Sequence, residues 1–267
     1  MDTLSRPSVR RFGAVNWLGF WTLYLREVRR FLKVFTQTVA APVVTTLLYL
    51  GVFMLAIGGA QRSAGGVPYT AFLAPGLVMM AMMQNSFANT SSSIMIAKVQ
   101  GTIVDVLMPP LSATELALAI VLGGITRGVV VGVAVALAIW LFEPMQLAHP
   151  VLVLFYGFAA CMLLSLLGMI AGVWAVKFDH MSAVTNFVIM PLSFLSGTFY
   201  SVDRLPEGWQ FVAHGNPFFY LIDGFRAGFI GHAESSLTLG FAVVVAVNAA
   251  LLILCHQMFL RGYRLKA

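Results

Sequence analysis

Six apolar stretches, each long enough to cross a lipid bilayer as a helix, constrain this chain more than any other feature. A helix that crosses a hydrocarbon core of about 30 Å needs about 20 apolar residues. The stretches lie at about 38–60, 70–93, 115–142, 150–176, 182–200 and 236–259. Only 10% of the 267 residues are charged and 60% are hydrophobic, which is too little polar material for a water-soluble globule. The sequence therefore predicts an all-α membrane protein with six transmembrane helices.

The positions of lysine and arginine predict how these helices are oriented. Twelve such residues fall at the chain ends and in the loops after the second and fourth spans: Arg6, Arg10, Arg11, Arg26, Arg29, Arg30, Lys33, Lys98, Lys177, Arg261, Arg264 and Lys266. The opposite side has Arg62, Arg204 and Arg226. Since cytoplasmic loops are enriched in these residues, both termini are predicted to be cytoplasmic. The net charge of +6 follows from this topology, so no nucleic-acid partner is expected. The first apolar stretch is longer than the core of a signal peptide and is predicted to be a retained span.

Residues 1–36 are predicted to form a cytoplasmic or interfacial segment. Within it, WLGFWTLYLREVRRFLKVF has the pattern of an amphipathic helix. Its apolar residues recur at helical spacing: Leu25, Val28, Leu32 and Phe35. Its cations line another face: Arg26, Arg29, Arg30 and Lys33. Such a helix either lies in the membrane interface, with its cations near anionic headgroups, or presents them to a cytoplasmic partner protein.

The loop at 98–114, between the second and third spans, contains a second candidate contact surface. A short helix from about Thr102 to Met108 fits its pattern, and the prolines that follow end it. Such a helix is either a knob that inserts into a groove of another protein or an interfacial turn. The candidate contact residues are Thr102, Ile103, Asp105, Leu107, Met108 and Pro109. Farther on, Ser112 and Glu115 have the spacing of a capping box that starts the third span.

Several catalytic classes lack their motifs in this sequence. No G-x-x-x-x-G-K-[ST] occurs, so the chain has no phosphate-binding loop with which to hydrolyse ATP. It also has no H-E-x-x-H, no G-x-S-x-G and no D-x-x-D pair to hold Mg²⁺, and its five histidines are scattered. We therefore expect no catalytic residue and no metal site, and we expect that the protein is not an enzyme.

Charged residues inside the predicted spans are few, whereas the second half of the second span is polar. Gln84, Asn85 and Asn89 lie in the second span, where they either join helices by hydrogen bonds or line a transport pathway. Arg127 lies well inside the third span, between glycines that permit close helix packing. Its guanidinium either snorkels or pairs with Glu115 or an acid on the outer side. Proton-coupled transport needs ionisable residues inside the membrane, and this span has one arginine and no carboxylate near it. Any transport is therefore expected to draw its energy from a partner protein.

Residues 191–235 are apolar but interrupted by proline and glycine, which predicts short re-entrant helices on the outer side between spans five and six. The candidate gate residues are Pro191, Gly197, Tyr200, Asn216, Pro217, Tyr220, Asp223 and Arg226. Asn216 and Pro217 are expected to start a helix. Asp223 and Arg226, three residues apart on it, are expected to pair, either as a structural latch or in contact with substrate.

Several of these stretches resemble the membrane-spanning permease subunits of ABC-2 type transporters. They follow in the expected order from about Leu25 to Arg261: APGLVMMAMMQNSFANTSSSI, GTIVDVLMPPLSATELALA, GGITRG, PLSFLSGTFYSVDRLPEGWQ and NPFFYLIDGFR. The chain looks closest to the short branch that includes nodulation-factor exporter permeases. The resemblance implies one transmembrane domain over 1–267 that forms a homodimer and binds two copies of a separate ABC ATPase.

The resemblance also implies roles for the candidate surfaces. The inner-loop helix would be a coupling helix seated in the ATPase, and the outer helices would cap the exit. ATP and Mg²⁺ would belong to the ATPase, with no cofactor in this chain. The implied function is export of a lipid-like, glycolipid or drug-like molecule across the bacterial inner membrane. An ATPase-independent secondary carrier or channel is the alternative, and an intramembrane enzyme is disfavoured by the missing acid–base pairs.

Overall fold

The computed structural model describes residues 15–57, 63–64 and 67–264. The end of the predicted first span, at 58–60, lies outside the described residues. So do five of the cations that predict the orientation: Arg6, Arg10, Arg11, Arg62 and Lys266.

Helices make up nearly all of the described chain. Their bounds in chain order are α1 (Trp17–Leu32), α2 (Ala41–Ile57), α3 (Tyr69–Val99), α4 (Ile103–Leu107), α5 (Ala113–Trp140), α6 (Pro150–Trp174), α7 (Phe178–Val184), α8 (Met190–Leu195), α9 (Glu207–His214), α10 (Pro217–Ile230) and α11 (Leu237–Leu260). Two π-helical turns, Thr36–Ala40 and Thr185–Ile189, lead into α2 and α8, and a 3₁₀ turn covers Val202–Arg204. Two short strands, β1 (Ser63–Ala64) and β2 (Val67–Pro68), pair antiparallel before α3.

Five helices in the described part of the chain are long and apolar enough to cross a membrane: α2 with the π-helical turn before it, α3, α5, α6 and α11. The all-α membrane prediction is therefore confirmed. The predicted fifth span is not among the five. Its residues form α7, a π-helical turn and α8 without a break, and the chain then turns at Gly197, whose φ is +75°. The count of six spans and the re-entrant geometry stay predictions.

Helix α3 is the centre of the bundle, buried along most of its length. Glycines of α5 at four-residue spacing let the two backbones approach each other. A Cβ atom built on Gly128 would lie 2.0 Å from the Ser86 Oγ of α3, and one on Gly132 would lie 2.4 Å from the Met82 Cγ. Gly168 of α6 meets α3 in the same way. Small residues at such spacing are what allows close helix packing in membranes, as the glycines around Arg127 predict.

Helix α1 packs against α5, as the contact between its N-cap and the start of α5 shows. Its N-cap, Asn16, accepts a bond from the Gly19 amide at 3.0 Å, and the Asn16 amide donates to Glu115 Oε1 at 2.6 Å. Most of the predicted apolar and cationic faces of α1 are exposed or half-buried. The face that turns inward is a third one, which contains Leu23, Glu27 and Phe31.

Candidate functional site

The inner loop begins where α3 ends and projects a short apolar helix. Gly101 has a φ of +72°, a left-handed conformation that favours glycine, and it turns the chain into α4. Ile103 and Val106 are buried and hold α4 to the bundle. Val104 and Met108 are 51% and 76% exposed. The loop thus presents a firmly seated helix with an apolar outer side.

The remaining residues of this surface surround that exposed side. Asp105 and Pro109 are exposed, whereas Thr102 and Leu107 are half-buried. The predicted capping box is confirmed, since Ser112 Oγ accepts from the Glu115 amide at 3.2 Å and the Ser112 amide donates to Glu115 Oε2 at 2.6 Å. The cap fixes where α5 starts, and with it the far end of the loop.

Lys98 fixes the near end of the loop by binding the C-terminus of α6. Its ammonium donates to the carbonyls of Val173 and Ala175 at 2.7 and 2.5 Å, and more weakly to Gly172 at 3.4 Å. The last carbonyls of a helix have no partner within the helix and bear partial negative charge, so a cation stabilises them. Lys98 therefore joins α3 to α6 immediately before α4.

A buried charged cluster joins α1 to α3. Glu27 is 1% exposed, and its Oε1 accepts from Ser93 Oγ at 2.8 Å. Its Oε2 accepts from the Nη2 and Nε atoms of Arg30 at 3.2 and 3.3 Å. Arg30 also donates to the Asn89 carbonyl at 2.7 Å, to Asn89 Oδ1 at 3.0 Å and to Ser92 Oγ at 3.1 Å. Arg30 thus points inward, away from the cationic face predicted for it.

A contact with a distant part of the chain explains why sequence reasoning missed Glu27. Its burial depends on Gly123 across α5, where an added Cβ would lie 2.5 Å from the Glu27 Cβ. The sequence did hold one signal, because Glu27 is the only acid in α1 and precedes Arg30 by three residues. Such spacing places an acid and a base side by side on a helix.

Arg127 extends this polar cluster toward the middle of the bundle. Its Nη2 donates to Asn85 Oδ1 at 2.9 Å, and its Nε is buried without a partner among the described residues. The expected pairing with Glu115 is wrong. Glu115 is bonded to Asn16 and Ser112, and it lies twelve residues earlier on α5, or about 18 Å along the helix. Arg127 is half-buried rather than extended to a membrane surface.

Two clefts flank the polar part of α3, and Gln84 and Asn85 line both. One, of about 450 Å³, lies between α3 and the helices around the second π-helical turn, and it includes Ser182 and Asn186. The other, of about 270 Å³, lies between α3 and α2 and includes Gln37. The two roles proposed for the polar residues therefore divide among them. Asn89 joins α3 to α1, Gln84 lines the clefts, and Asn85 does both, because it lines the clefts and accepts from Arg127 of α5.

In the segment that is predicted to lie on the outer side, Asp223 and Arg226 do not pair with each other. The two oxygens of Asp223 accept from the Glu234 and Ser235 amides, each at 2.8 Å, and Oδ2 also accepts from Ser235 Oγ at 2.5 Å. Arg226 donates to the Gly197 carbonyl at 2.6 Å and to the Phe72 carbonyl at 3.2 Å. The expected pair is wrong because each buried side chain instead satisfies backbone groups of another segment.

These bonds give each charged group a separate structural task. Asp223 holds the turn that leads into α11, and Arg226 joins α10 to the start of α3 and to the loop after α8. The Arg226 guanidinium also stacks over the Phe72 ring, 3.7 Å from its centroid, which adds a cation–π attraction. The expected start of α10 is confirmed: Pro217 is its first residue, and Asn216 caps it by accepting from the Phe218 amide at 3.0 Å.

The other predicted outer residues lie around this joint. Gly197 supplies the turn, Tyr220 is buried on α10, Tyr200 is half-buried and Pro191 is exposed at the start of α8. An aromatic cluster that sequence reasoning missed lies beside them. The Phe199 ring stacks on Phe53 of α2 and Phe194 of α8, with centroids 4.6 and 5.0 Å apart. Phe199 therefore bridges the two helices that flank the clefts.

The inner and outer surfaces lie at opposite ends of α3, with the polar cluster between them. Arg226 binds near the start of α3, Asn85 and Arg127 meet along its middle, and Lys98 and α4 mark its end. No group of three or more His, Cys, Asp or Glu residues suited to a metal ion occurs in the described ranges.

Comparisons with known proteins identify the family. The model of the ABC-2 type transporter family matches residues 19–230, from α1 to the end of α10. The inner membrane transport permease YadH of Escherichia coli (strain K12) is 36% identical over 251 residues, covering 94% of this chain and 98% of that protein. Nodulation protein J of Rhizobium leguminosarum bv. trifolii is 29% identical over 227 residues, covering 82% of this chain and 83% of that protein. The predicted resemblance is confirmed, and the chain is a membrane permease that belongs to the ABC-2 type transporter family.

Proposed function

We propose that this permease is the membrane subunit of an ATP-driven exporter and that a separate ATPase supplies its energy. The observation that carries the proposal is the seated helix α4 with its exposed apolar side, in a member of this transporter family. An apolar surface on a loop that faces water is typical of a protein contact. The permease itself is proposed not to be an enzyme, because its sequence has no phosphate-binding loop.

The contacts around α4 support a role in transmitting force. Ile103 and Val106 hold it to the bundle, and Lys98 ties the adjacent end of α3 to α6. A displacement of α4 by a partner would therefore move α3 and α6 together. We propose that two ATPase subunits act in this way on a homodimer of the permease, with ATP and Mg²⁺ held by the ATPase.

The proposed arrangement in the membrane follows from charge and sequence. Six spans, with α7 and α8 forming the fifth, place both termini in the cytoplasm, where Lys98, Lys177 and Arg264 are expected. The short helices α9 and α10 then lie on the outer side, as re-entrant helices that cap the exit. The bacterial inner membrane is the proposed location, in keeping with the name of the Escherichia coli relative.

The proposed cargo is a lipid-like, glycolipid or drug-like molecule. The larger cleft supports this class, because amide and hydroxyl groups from Gln84, Ser182 and Asn186 share it with apolar side chains such as Phe87 and Met190. A molecule with one polar end and one apolar end would find partners for both. The aromatic bridge at Phe199 would close this route on the outer side.

The test is co-purification of the permease with an ATPase of the phosphate-binding-loop class, sought first among the products of the neighbouring genes, followed by ATP-dependent export in proteoliposomes. We expect a stable complex whose ATP hydrolysis is coupled to export. Asp105→Lys, at the exposed α4, should weaken that coupling at least several-fold. Glu143→Lys, an equal change of charge in the loop between α5 and α6, is the matched control and should not.

Two outcomes would contradict the proposal. One is a permease that never captures the ATPase and whose transport ignores ATP but follows a proton or sodium gradient, which would indicate a secondary carrier. The other is ATP-driven export that Asp105→Lys leaves fully coupled, which would remove α4 from the contact.

A further inference from the structure

The cluster that joins α1, α3 and α5 has one positive charge more than it can pair internally. It contains two guanidinium groups, of Arg30 and Arg127, and one carboxylate, that of Glu27. Glu27 is already bonded to Arg30 and to Ser93. Arg127 has Asn85 Oδ1 as its hydrogen-bond acceptor, and its buried Nε has no partner among the described residues. Arg127 is therefore a guanidinium without a counter-ion.

Among the described helices that line the clefts, only α7 contains an acid, Asp179, and it is exposed in the first turn of that helix. Helices α2, α3 and α6 contain no aspartate or glutamate, and neither does the π-helical turn that precedes α2. The only acid of α5, Glu115, caps the start of that helix and binds the Asn16 amide. Arg30 binds Asn89, one helical turn along α3 from the Asn85 that binds Arg127, so the nearest charged neighbour shown by these bonds is a second cation. The excess charge is thus a property of the whole packing, not of one side-chain conformation.

The position of Arg127 in the middle of α5 makes this excess positive charge costly in free energy. It lies fourteen residues after Ala113 and thirteen before Trp140, so each end of α5 is about 20 Å away. A guanidinium at that depth is far from the phospholipid headgroups on either surface. Charged groups in the hydrocarbon region are expensive unless a partner compensates them, and for that reason they mark ligand or ion pathways.

The neighbouring side chains make the site reachable from the clefts. Asn85, the acceptor of Arg127, lines both clefts beside α3, and the Gln84 Nε2 next to it is buried without a partner in the described chain. The residues that line the two clefts include no charged side chain. A ligand entering either cleft would thus meet the unpaired Gln84 amide and Asn85, to which the Arg127 guanidinium donates from behind the cleft lining, but no carboxylate to repel it.

We infer that Arg127, with Gln84 and Asn85, binds the anionic group of an amphiphile, a phosphate or a carboxylate, whose apolar part lies along the cleft. A guanidinium and an amide offer such an anion several charge-assisted hydrogen bonds at once. The anion could belong to the transported molecule or to a bound membrane lipid. The midplane depth favours a molecule in transit. The assignment of the anion to transported cargo rests on the proposed export function. Binding of an anion at this site does not depend on that function.

Equilibrium binding to the full-length permease, without any ATPase, tests the inference. The protein is placed in phosphatidylcholine nanodiscs and titrated with dodecyl phosphate and with the uncharged dodecyl maltoside, and empty nanodiscs supply the background. We expect dodecyl phosphate to bind about ten-fold more tightly or better, as a charge-assisted contact implies. Arg127→Gln should abolish that preference and Arg127→Lys should retain part of it. Arg261→Gln, at an exposed cation, is the matched control and should leave it unchanged.

A second variant keeps the test decisive if Arg127→Gln fails to fold. Asn85→Asp places a carboxylate where the Arg127 guanidinium already donates, so it neutralises the excess charge internally. We expect this variant to be at least as stable as the natural protein and to lose the preference for dodecyl phosphate. If Arg127 had only a structural role, Asn85→Asp would leave probe binding unchanged, and that result would overturn the inference.

Native mass spectrometry of protein extracted from membranes that contain phosphatidylglycerol distinguishes the two sources. Phosphatidylglycerol retained by the natural protein and lost in Arg127→Gln would assign the site to a bound lipid. Binding of dodecyl phosphate without retained lipid would assign it to the cargo. If the natural protein and Arg127→Gln both bind dodecyl phosphate no more tightly than dodecyl maltoside, anion binding is refuted. These measurements use no ATPase, so a failure of the permease to capture one would not affect them.

Discussion

Replacing Glu27 with glutamine tests whether the buried charged cluster holds α1 against the bundle. Glutamine keeps the shape of the side chain and removes its charge. The Ser93 hydroxyl, now 2.8 Å from Oε1, can still donate to the remaining carbonyl oxygen. The new amide group, however, would face the Nε and Nη2 donors of Arg30, which now lie 3.3 and 3.2 Å from Oε2. The substitution therefore exchanges an ion pair for two opposed donors.

The expected loss of stability follows from the burial of the two partners. Removing one partner of a fully buried ion pair costs about 3–5 kcal/mol. Glu27 is fully buried, but the side chain of Arg30 is 27% exposed and keeps its bonds to Asn89 and Ser92. Solvent and these acceptors offset part of the cost. We expect Glu27→Gln to lower the free energy of unfolding by about 2–3 kcal/mol.

Equilibrium unfolding in mixed micelles with increasing SDS measures this free energy. The single variants Glu27→Gln and Arg30→Gln and the double variant complete a double-mutant cycle, which we expect to give a coupling energy of about 1–2 kcal/mol. Glu207→Gln, at an exposed acid of α9, should change the free energy by less than about 0.5 kcal/mol. Effects of Glu27→Gln and Arg30→Gln that add to within about 0.5 kcal/mol would refute the reasoning, because residues that interact do not behave additively.

Three further changes probe the contacts around α3. Lys98→Met removes the cation that binds the α6 carbonyls, and it should lower the free energy of unfolding by about 1–3 kcal/mol in the same assay. An unchanged free energy of unfolding would indicate that water satisfies these carbonyls equally well. Gly128→Val should prevent accumulation in the membrane, as shown by fluorescence-detected size exclusion, because its Cβ would overlap Ser86. Gly51→Ala, where an added Cβ meets nothing within 4 Å, should accumulate normally. Arg226→Lys should lower the midpoint of thermal unfolding, since an ammonium cannot reach both carbonyls while it stacks on Phe72, and an unchanged midpoint would contradict that.

The membrane-spanning helices and the local helix starts could be predicted because each depends on nearby residues. The length and hydropathy of α3, α5, α6 and α11 suffice to identify them as candidate spans. The capping box at Ser112 and Glu115 and the start of α10 at Pro217 are signals within four residues. Where a feature is decided by its own stretch of sequence, the sequence reading and the structure agree.

The charged contacts could not be predicted in the same way, since their partners lie far away in the chain. Asp223 and Arg226 have the spacing of a helical pair, yet each binds backbone groups that only the folded bundle brings close. Arg30 shows the opposite case, because a residue predicted for an exposed face is turned inward by Glu27 and Asn89. Local spacing gives the pairs that are possible, and tertiary packing selects among them.

The glycine contacts along α3 have a mechanical consequence. Between Gly76 and Val99, α3 is an unbroken helix of about 36 Å, wedged against backbone and small side chains that leave it little room to bend. Its only proline, Pro75, lies next to this rod and removes one backbone hydrogen bond. Arg226 donates to the Phe72 carbonyl one turn before that proline. A force applied at the α4 end of α3 would thus be borne by the stiff part of the helix, and bending would be easiest at Pro75, near the opposite end of the helix.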